Sequence, residues 1–329
     1  MPLLVMRFDF RAPGFGATHA EQFPAALEMV KWADERGFDM AVVSEHHSAE
    51  DGYLPSPLVM CGAFAGATTT IGINVAALLV PLHDPVRLAE DMAVLDNLSG
   101  GRVSYVVGIG YRDVEFEMFG VDRKGRGQLV ESHIGIMQQA WTGEPFAYNG
   151  TTVTVRPTPL TQPHPLLFYG GSTRVAAERA ARLGLGFFPA IGDPELATIY
   201  TEACAAEGRD PGLVMLPNSG GGFMHVAEDP ERDWAIIQRH AMHEAKMYAS
   251  WQNGPQRSEV HIDTDDPAEL RTSGQYLVVT PEECVDLANE RGDLGTLLFH
   301  PLMGGLPVDM AWAGLELFAD EVLPKIRSG

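Results

Sequence analysis

The chain has 329 residues, 45% of them hydrophobic, enough to bury a sizeable core without staples. Its 44 acidic residues outweigh 23 basic ones, and the net charge of −21 repels nucleic-acid phosphates and anionic lipid, which excludes both as partners. Cys61, Cys204 and Cys284 offer no CxxC spacing for zinc or a redox pair, and the N-terminus meets Asp9 after too short an apolar run for a signal peptide; with no run near the ~18 residues of a membrane span, a soluble cytoplasmic protein is expected.

The predicted elements alternate strand and helix. Leu3 to Phe10 reads as a strand, and His19 to Arg36 as a helix with apolar residues at three- and four-residue steps, stopped by Gly37. Asp39 to Ser44 is a second strand, Pro57 to Ala67 a helix, Ile71 to Leu79 a third strand, Pro85 to Leu98 a helix and Arg102 to Gly108 a fourth strand. The turn Ser99-Gly100-Gly101 between the last two makes strand, helix and strand a right-handed βαβ unit. Gly127 to Thr142 is helical, and the Thr-Val-Thr-Val alternation after it suits a hairpin inserted near 143–161. Strands then fall at Pro165 to Tyr169, Leu185 to Pro189, Leu213 to Val226 (interrupted by Asn218 to Gly222) and Thr296 to His300. Helices fall at Arg174 to Leu183, Pro194 to Glu207, Glu231 to Tyr248, Pro281 to Arg291 and Val308 to Ile326. The polar stretch near 251–275 reads as a lid-like loop.

About eight strands, each followed by a helix, suit a single α/β domain over 1–329: an eight-fold (β/α)8 TIM barrel with insertions, which takes roughly 250 residues. A doubly wound open sheet is the alternative, weakened by the lack of an early GxGxxG. In either fold, strand ends hold the chemistry.

The second strand ends in Ser44-Glu45-His46-His47. Successive residues of an extended strand point to opposite faces, so Glu45 and His47 share one side and His46 faces the other. A metal needs three or more convergent ligands. No HxH or HxxxH pair brings in His83, His164, His225 or His300, so no metal is expected and a base, acid or hydrogen-bonding role at the strand mouth is. The fifth strand ends in Gly170-Gly171-Ser172-Thr173 and runs into the helix that opens with Arg174. Either Ser172 or Thr173 can cap that helix, and its free N–H groups and dipole suit an anion such as a phosphate. Ala76-Ala77 in the third strand, and Gly108 and Gly110 at the end of the fourth, leave room for a flat ligand.

Five motifs occur in a fixed order: SEHH at Ser44 to His47, VPLHDPVRLAEDMAVLDNLSGGR at Val80 to Arg102, GIGYRDVEFEMFG at Gly108 to Gly120, YGGSTRVAAERAARLG at Tyr169 to Gly184 and GLELFADEVLP at Gly314 to Pro324. Together, over nearly the whole chain, they resemble the bacterial luciferase-like flavin-dependent monooxygenases. That resemblance implies a barrel with reduced FMN at its C-terminal mouth. It matches Ala76-Ala77 to a non-proline cis peptide under the flavin ring, Gly110, Tyr111 and Glu115 to positions near that ring, and Gly170, Gly171, Ser172, Thr173 and Arg174 to the phosphate site. His46 matches the histidine that helps form or protect the oxygenated flavin, with Glu45 and His47 completing the catalytic set. Many relatives carry a phosphate-binding arginine where this chain has Ile109, which leaves Arg112 or Arg174 to compensate.

The implied activity is oxygenation of a small, apolar organic substrate by O2 through a C4a-peroxyflavin. A separate flavin reductase would supply the reduced FMN, since no nicotinamide fingerprint is present. Phe8, Tyr111, Phe168 and Trp251 are candidates for the substrate pocket, and Trp32, Met92 or Trp141 for a homodimer interface. The alternatives are an F420-dependent oxidoreductase transferring hydride without O2, a metal hydrolase and a non-catalytic flavin-binding protein.

Overall fold

A computed structural model of the chain describes residues 1–217, 222–251 and 262–327. Its elements run, in chain order, β1 (Leu3–Phe8), α1 (His19–Glu35), β2 (Met40–Val43), α2 (Pro57–Ala67), β3 (Gly72–Leu79), α3 (Pro85–Ser99), β4 (Val103–Gly108), α4 (Asp113–Phe119), α5 (Arg126–Trp141), β5 (Phe146–Tyr148), β6 (Thr151–Val153), β7 (Leu166–Gly170), α6 (Arg174–Leu183), β8 (Gly186–Phe188) and α7 (Pro194–Ala206). There follow β9 (Phe223–Val226), α8 (Pro230–Trp251), α9 (Pro267–Thr272), β10 (Tyr276–Val279), α10 (Pro281–Arg291), β11 (Thr296–Phe299), α11 (Val308–Leu317) and α12 (Leu323–Arg327). They gather into two compact units, one of Met1–Val42, Ala49–Leu54 and Pro217–Gly329, the other of Val43–Ser48 and Pro55–Leu216.

In the first unit the strand order is β10-β9-β11-β1, with β2 beside β1. The pairs β10–β9, β9–β11 and β11–β1 are parallel. Phe223, Trp234, Ile237, Ala241, Tyr276 and Leu306 pack as its apolar cluster.

The second unit carries the order β3-β4-β7-β8, parallel throughout. Residues Val103 to Val107 of β4 are all buried, as expected of a parallel strand covered on both faces. Local chemistry marks the helices that join these strands. Asp84 accepts from the amides of Val86 and Arg87 to start α3 with Pro85 in its first turn, and Gly100 ends it at φ 68°. Thr173 caps α6, and Gly184 closes it at φ 68°. The hairpin expected after α5 is there: β5 pairs antiparallel with β6 around Asn149-Gly150, both at positive φ.

Several elements differ from expectation. The stretch read as a lid-like loop contains α9, which Asp266 caps through the amide of Ala268, and residues 252–261 of that stretch lie outside those described. Beyond it β10 was missed: four residues between a helix and Pro281 give too little periodicity to read. The seventh strand is confined to β9, with Val214 making an isolated parallel bridge to Phe187 and residues 218–221 outside those described. The closing helix is broken by a π-helical stretch over Phe318–Val322. Met92 and Trp141 are core residues at 0% and 1% exposure and face no partner, and Phe8 and Phe168 are equally buried, not pocket-lining. Trp32 sits edge-on to Trp312 under the guanidinium of Arg36. Among the described residues no helix is long and apolar enough to cross a membrane.

Candidate active site

The site residues of the second unit converge on the C-terminal ends of three neighbouring parallel strands, β3, β4 and β7. Ala76, Ala77, Gly108, Ile109, Gly170 and Gly171 are half-buried there while their strand neighbours are buried. A floor of small side chains therefore stays open at the strand mouths. The Ala76–Ala77 peptide is cis, and the register of β3 on β4 slips between Ala76 and Leu78. A Cβ on Gly108 would lie 2.9 Å from that of Ala77, so only glycine lets β4 lie this close to the slipped residue.

His46 leaves the end of β2 toward α4. Its Nδ1 lies 2.8 Å from Glu115 Oε1 and its Nε2 3.2 Å from the Tyr111 hydroxyl, with the Tyr111 ring edge-on. The same oxygen of Glu115 accepts from the His47 amide at 3.0 Å and from Arg112 Nη1 at 3.2 Å. Burial opposes the Glu115 charge, but the bond and charge of His46, the His47 amide and Arg112 outweigh it and hold the carboxyl below its ordinary range. The arrangement is carboxylate, imidazole and phenol in line. Glu115 is therefore seen orienting His46, a contact between residues 69 apart that no local motif reveals.

Glu45 and His47 come together, although β2 ends at Val43, so the strand alternation expected to set them apart from His46 does not reach residues 45–47. Glu45 Oε1 accepts from His47 Nε2 at 2.9 Å and from His83 Nε2 at 2.8 Å, and Oε2 accepts from the Leu79 amide at 2.6 Å. Burial raises the cost of this charge, yet the two imidazoles and the amide overcome it and bring the Glu45 pKa to about 2.

The anion site has a cap and an open end. Thr173 Oγ1 accepts from the Ala176 amide, so Thr173, not Ser172, is the N-cap of α6. Gly171 at φ 137° takes a backbone conformation only glycine adopts freely, and a Cβ there would stand 2.9 Å from that of Ala176. Of the two arginines expected to compensate for Ile109, Arg112 is engaged elsewhere. Arg112 donates to Glu115 and to the carbonyls of His47 and Ser48. Arg174 is exposed, its Nη1 3.8 Å from Glu178. Sequence reasoning missed Arg126, whose Nε donates to Gly110 O at 3.1 Å. Among the described residues no carboxylate lies within ion-pair range of it; burial, then the charge of Arg123, lowers its pKa. A half-buried cation short of a counter-ion beside the end of β4 is what a phosphate would complete. Arg179, paired with Glu131, also reaches the Tyr169 hydroxyl at 3.3 Å.

Among the described residues one set of metal-type donors exists, in the first unit, where Asp9, Glu244 and His300 bring ligand atoms within 4.8 Å of one another. The two carboxylates approach different ring nitrogens of His300, Asp9 at Nε2 (3.5 Å) and Glu244 at Nδ1 (3.6 Å). Each is already paired, Glu244 with Arg7 and Asp9 with Arg11. This is an ion-pair network rather than a convergent ligand set.

Residues 6–296 match the sequence model of the luciferase-like monooxygenase family. The alkanal monooxygenase alpha chain of Photorhabdus laumondii is 31% identical over 40% of this chain, a match spanning only 36% of that relative's length. Among solved structures, the monooxygenase RslO1 from Streptomyces bottropensis superposes with a TM-score of 0.79 and 24% identity over 98% of this chain and 99% of that one. The oxygenating constituent of 3,6-diketocamphane monooxygenase from Pseudomonas putida, solved with FMN, gives 0.70 and 19% over 99% of each chain. An F420-dependent secondary alcohol dehydrogenase, in complex with an F420-acetone adduct, gives 0.65 and 19% over 99% and 100%. These likenesses show the expected luciferase-like (β/α)8 fold. With the family's sequence pattern running through most of its length, the chain belongs to the luciferase-like monooxygenase family.

Proposed function

We propose that the chain is a monooxygenase that uses reduced FMN, delivered by a separate reductase, and O2 to oxygenate a small apolar organic substrate. The observation that carries the reading is the open small-residue floor at the ends of β3, β4 and β7, with the α6 amides and Arg126, which bonds Gly110 O, at the same strand ends. The donor set fits the cofactor: Ala76, Ala77, Gly110 and Tyr111 would hold the ring system, and Gly170 to Arg174 with Arg126 the phosphate. When bound, the reduced flavin supplies the electrons that activate O2. The chain's own part is proton handling. An ionised Glu115 accepts a hydrogen bond from His46 Nδ1–H, leaving Nε2 as the atom that takes or gives a proton, with the Tyr111 hydroxyl beside it. Glu45 and His47 act from behind, without reaching the reacting atoms.

Oxygen uptake tests this reading. With reduced FMN and an apolar carbonyl or hydrocarbon panel, oxygen consumption and an oxygenated product are expected. Turnover with reduced F420 and no oxygen consumed would overturn it in favour of hydride transfer, and tight flavin binding with no product from any substrate would leave a binding protein. Arg126→Ala is expected to weaken FMN binding roughly ten- to a hundredfold, the worth of a charged hydrogen bond, while riboflavin, which lacks the phosphate, binds as before.

The same proposal includes a homodimer in the cytoplasm. The three cysteines are free and buried, in keeping with a reducing compartment. Val59 on α2 and Val94 and Leu98 on α3 are 72%, 50% and 56% exposed on two helices that pack side by side. Light scattering should give twice the chain mass, and Leu98→Arg the mass of one chain; a wild-type monomer would sink the dimer.

A further inference from the structure

Two consecutive side chains take over where the backbone of β2 stops. β2 ends at Val43. Beyond it Ser44 Oγ donates to Ala76 O at 2.6 Å, and Glu45 Oε2 accepts from the Leu79 amide at 2.6 Å. Between these anchors β3 slips register against β4, Ala76 facing Val106 and Leu78 facing Val107. The half-exposed Ala76-Ala77 edge is thus bracketed by one hydroxyl and one carboxylate.

The carboxylate anchor is strongest while Glu45 is a buried anion, and a buried anion needs countercharge and donors. Both imidazoles serve the same oxygen, Oε1. His47 is held on its far side by the ring of Phe119, edge-on at 4.8 Å. His83 comes from the turn that precedes α3 and is 29% exposed. Burial disfavours its protonation, yet the bond and charge of Glu45 outweigh that and raise its pKa. His83 therefore links the start of α3 to the end of β3 through Glu45, and nothing else in the mechanism uses it.

We propose that His83 is a positioning residue: by holding Glu45 as an anion it fixes the Leu79 amide, and with it the Ala76-Ala77 edge on which the flat cofactor rests. The clamp itself stands on hydrogen bonds alone; its effect on the cofactor rests on the flavin reading above.

The test uses the full chain with His83→Ala and with His83→Gln, whose side-chain amide can still donate to Glu45 Oε1. Deuterium exchange of the 76–79 amides is followed without cofactor, and FMN binding by flavin absorbance. In His83→Ala the Leu79 amide should exchange roughly tenfold faster or more, and FMN should bind roughly ten- to a hundredfold more weakly. His83→Gln should restore both, and the melting temperatures of the two variants should agree, since the substituted side chain is itself partly exposed. Unchanged Leu79 protection in His83→Ala, or His83→Gln as impaired as the alanine variant, overturns the clamp. Faster exchange with unchanged FMN affinity overturns its role in positioning. Faster exchange in His83→Ala, in a protein whose wild type binds no FMN, supports the clamp and removes the flavin reading instead.

Discussion

His46→Ala should lower turnover by roughly a hundred- to ten-thousandfold, the usual worth of a placed general acid or base, with flavin affinity unchanged. The geometry separates the two effects. His46 points its Nε2 at Tyr111, and its Nδ1 is held by Glu115. Without the ring, Glu115 Oε1 still accepts from the His47 amide and from Arg112. The carboxylate stays paired, α4 keeps its tie to the end of β2, and the floor at Ala76, Gly108 and Gly170 is untouched. Glu115→Gln should cost less: the amide keeps the shape, but it no longer selects the His46 tautomer with its proton on Nδ1. Steady-state kinetics alongside a flavin titration decide the point. Equal turnover in wild type and His46→Ala would remove His46 from the chemistry, and a parallel loss of flavin affinity would make it a binding residue.

Much of this arrangement can be read from the chain because local physics writes it there. The run from Gly72 to Gly108 shows an apolar strand, the Asp84-Pro85 start, the Gly100 stop and a second apolar strand, and each signal acts within a few residues. The strand period expected to separate His46 from Glu45 and His47 does not reach them, since β2 ends at Val43, yet Glu45 and His47 do meet. What stays hidden is what long-range packing decides. Glu115 finds His46 across 69 residues, and His83 finds Glu45 across 38. Arg126 opens α5, and the sequence leading up to it reads only as polar. The burial of Met92 and Trp141 depends on which face of α3 and α5 meets the sheet, and their apolar character suits a core and an interface alike. β10 shows the same limit at small scale, since four apolar residues in a row carry no period to read.

In the first unit, Arg11→Met should destabilise the protein by about 3–5 kcal/mol, the cost of stripping a buried ion pair of one partner. Arg11 is completely buried, with Nε 3.2 Å from Asp9 Oδ2 and Nη1 2.5 Å from Asp51 Oδ2. Its guanidinium also lies 4.7, 4.8 and 4.5 Å from the ring centroids of Tyr53, Tyr248 and Trp251. Methionine fills a similar length among those rings, so the loss reports the missing charge more than a cavity. The carboxylates left behind set the pH dependence. Burial works against the Asp9 charge, but His300, then Arg11 and Arg7, outweigh it and hold its pKa far below the ordinary value. Burial likewise opposes Asp51, and His243 with Arg11 lowers it nonetheless. A carboxyl depressed on folding contributes stability that is whole above its unfolded pKa, near 4, and is lost as pH falls through the folded value. Removing Arg11 raises both folded values toward the unfolded one, so that contribution shrinks and acid unfolding should begin at a higher pH than in wild type. Thermal melts across an acid series read both effects together. An acid midpoint that does not move, in a variant that nonetheless melts early, would mean that Arg11 stabilises the unit through its three rings and not through Asp9 and Asp51.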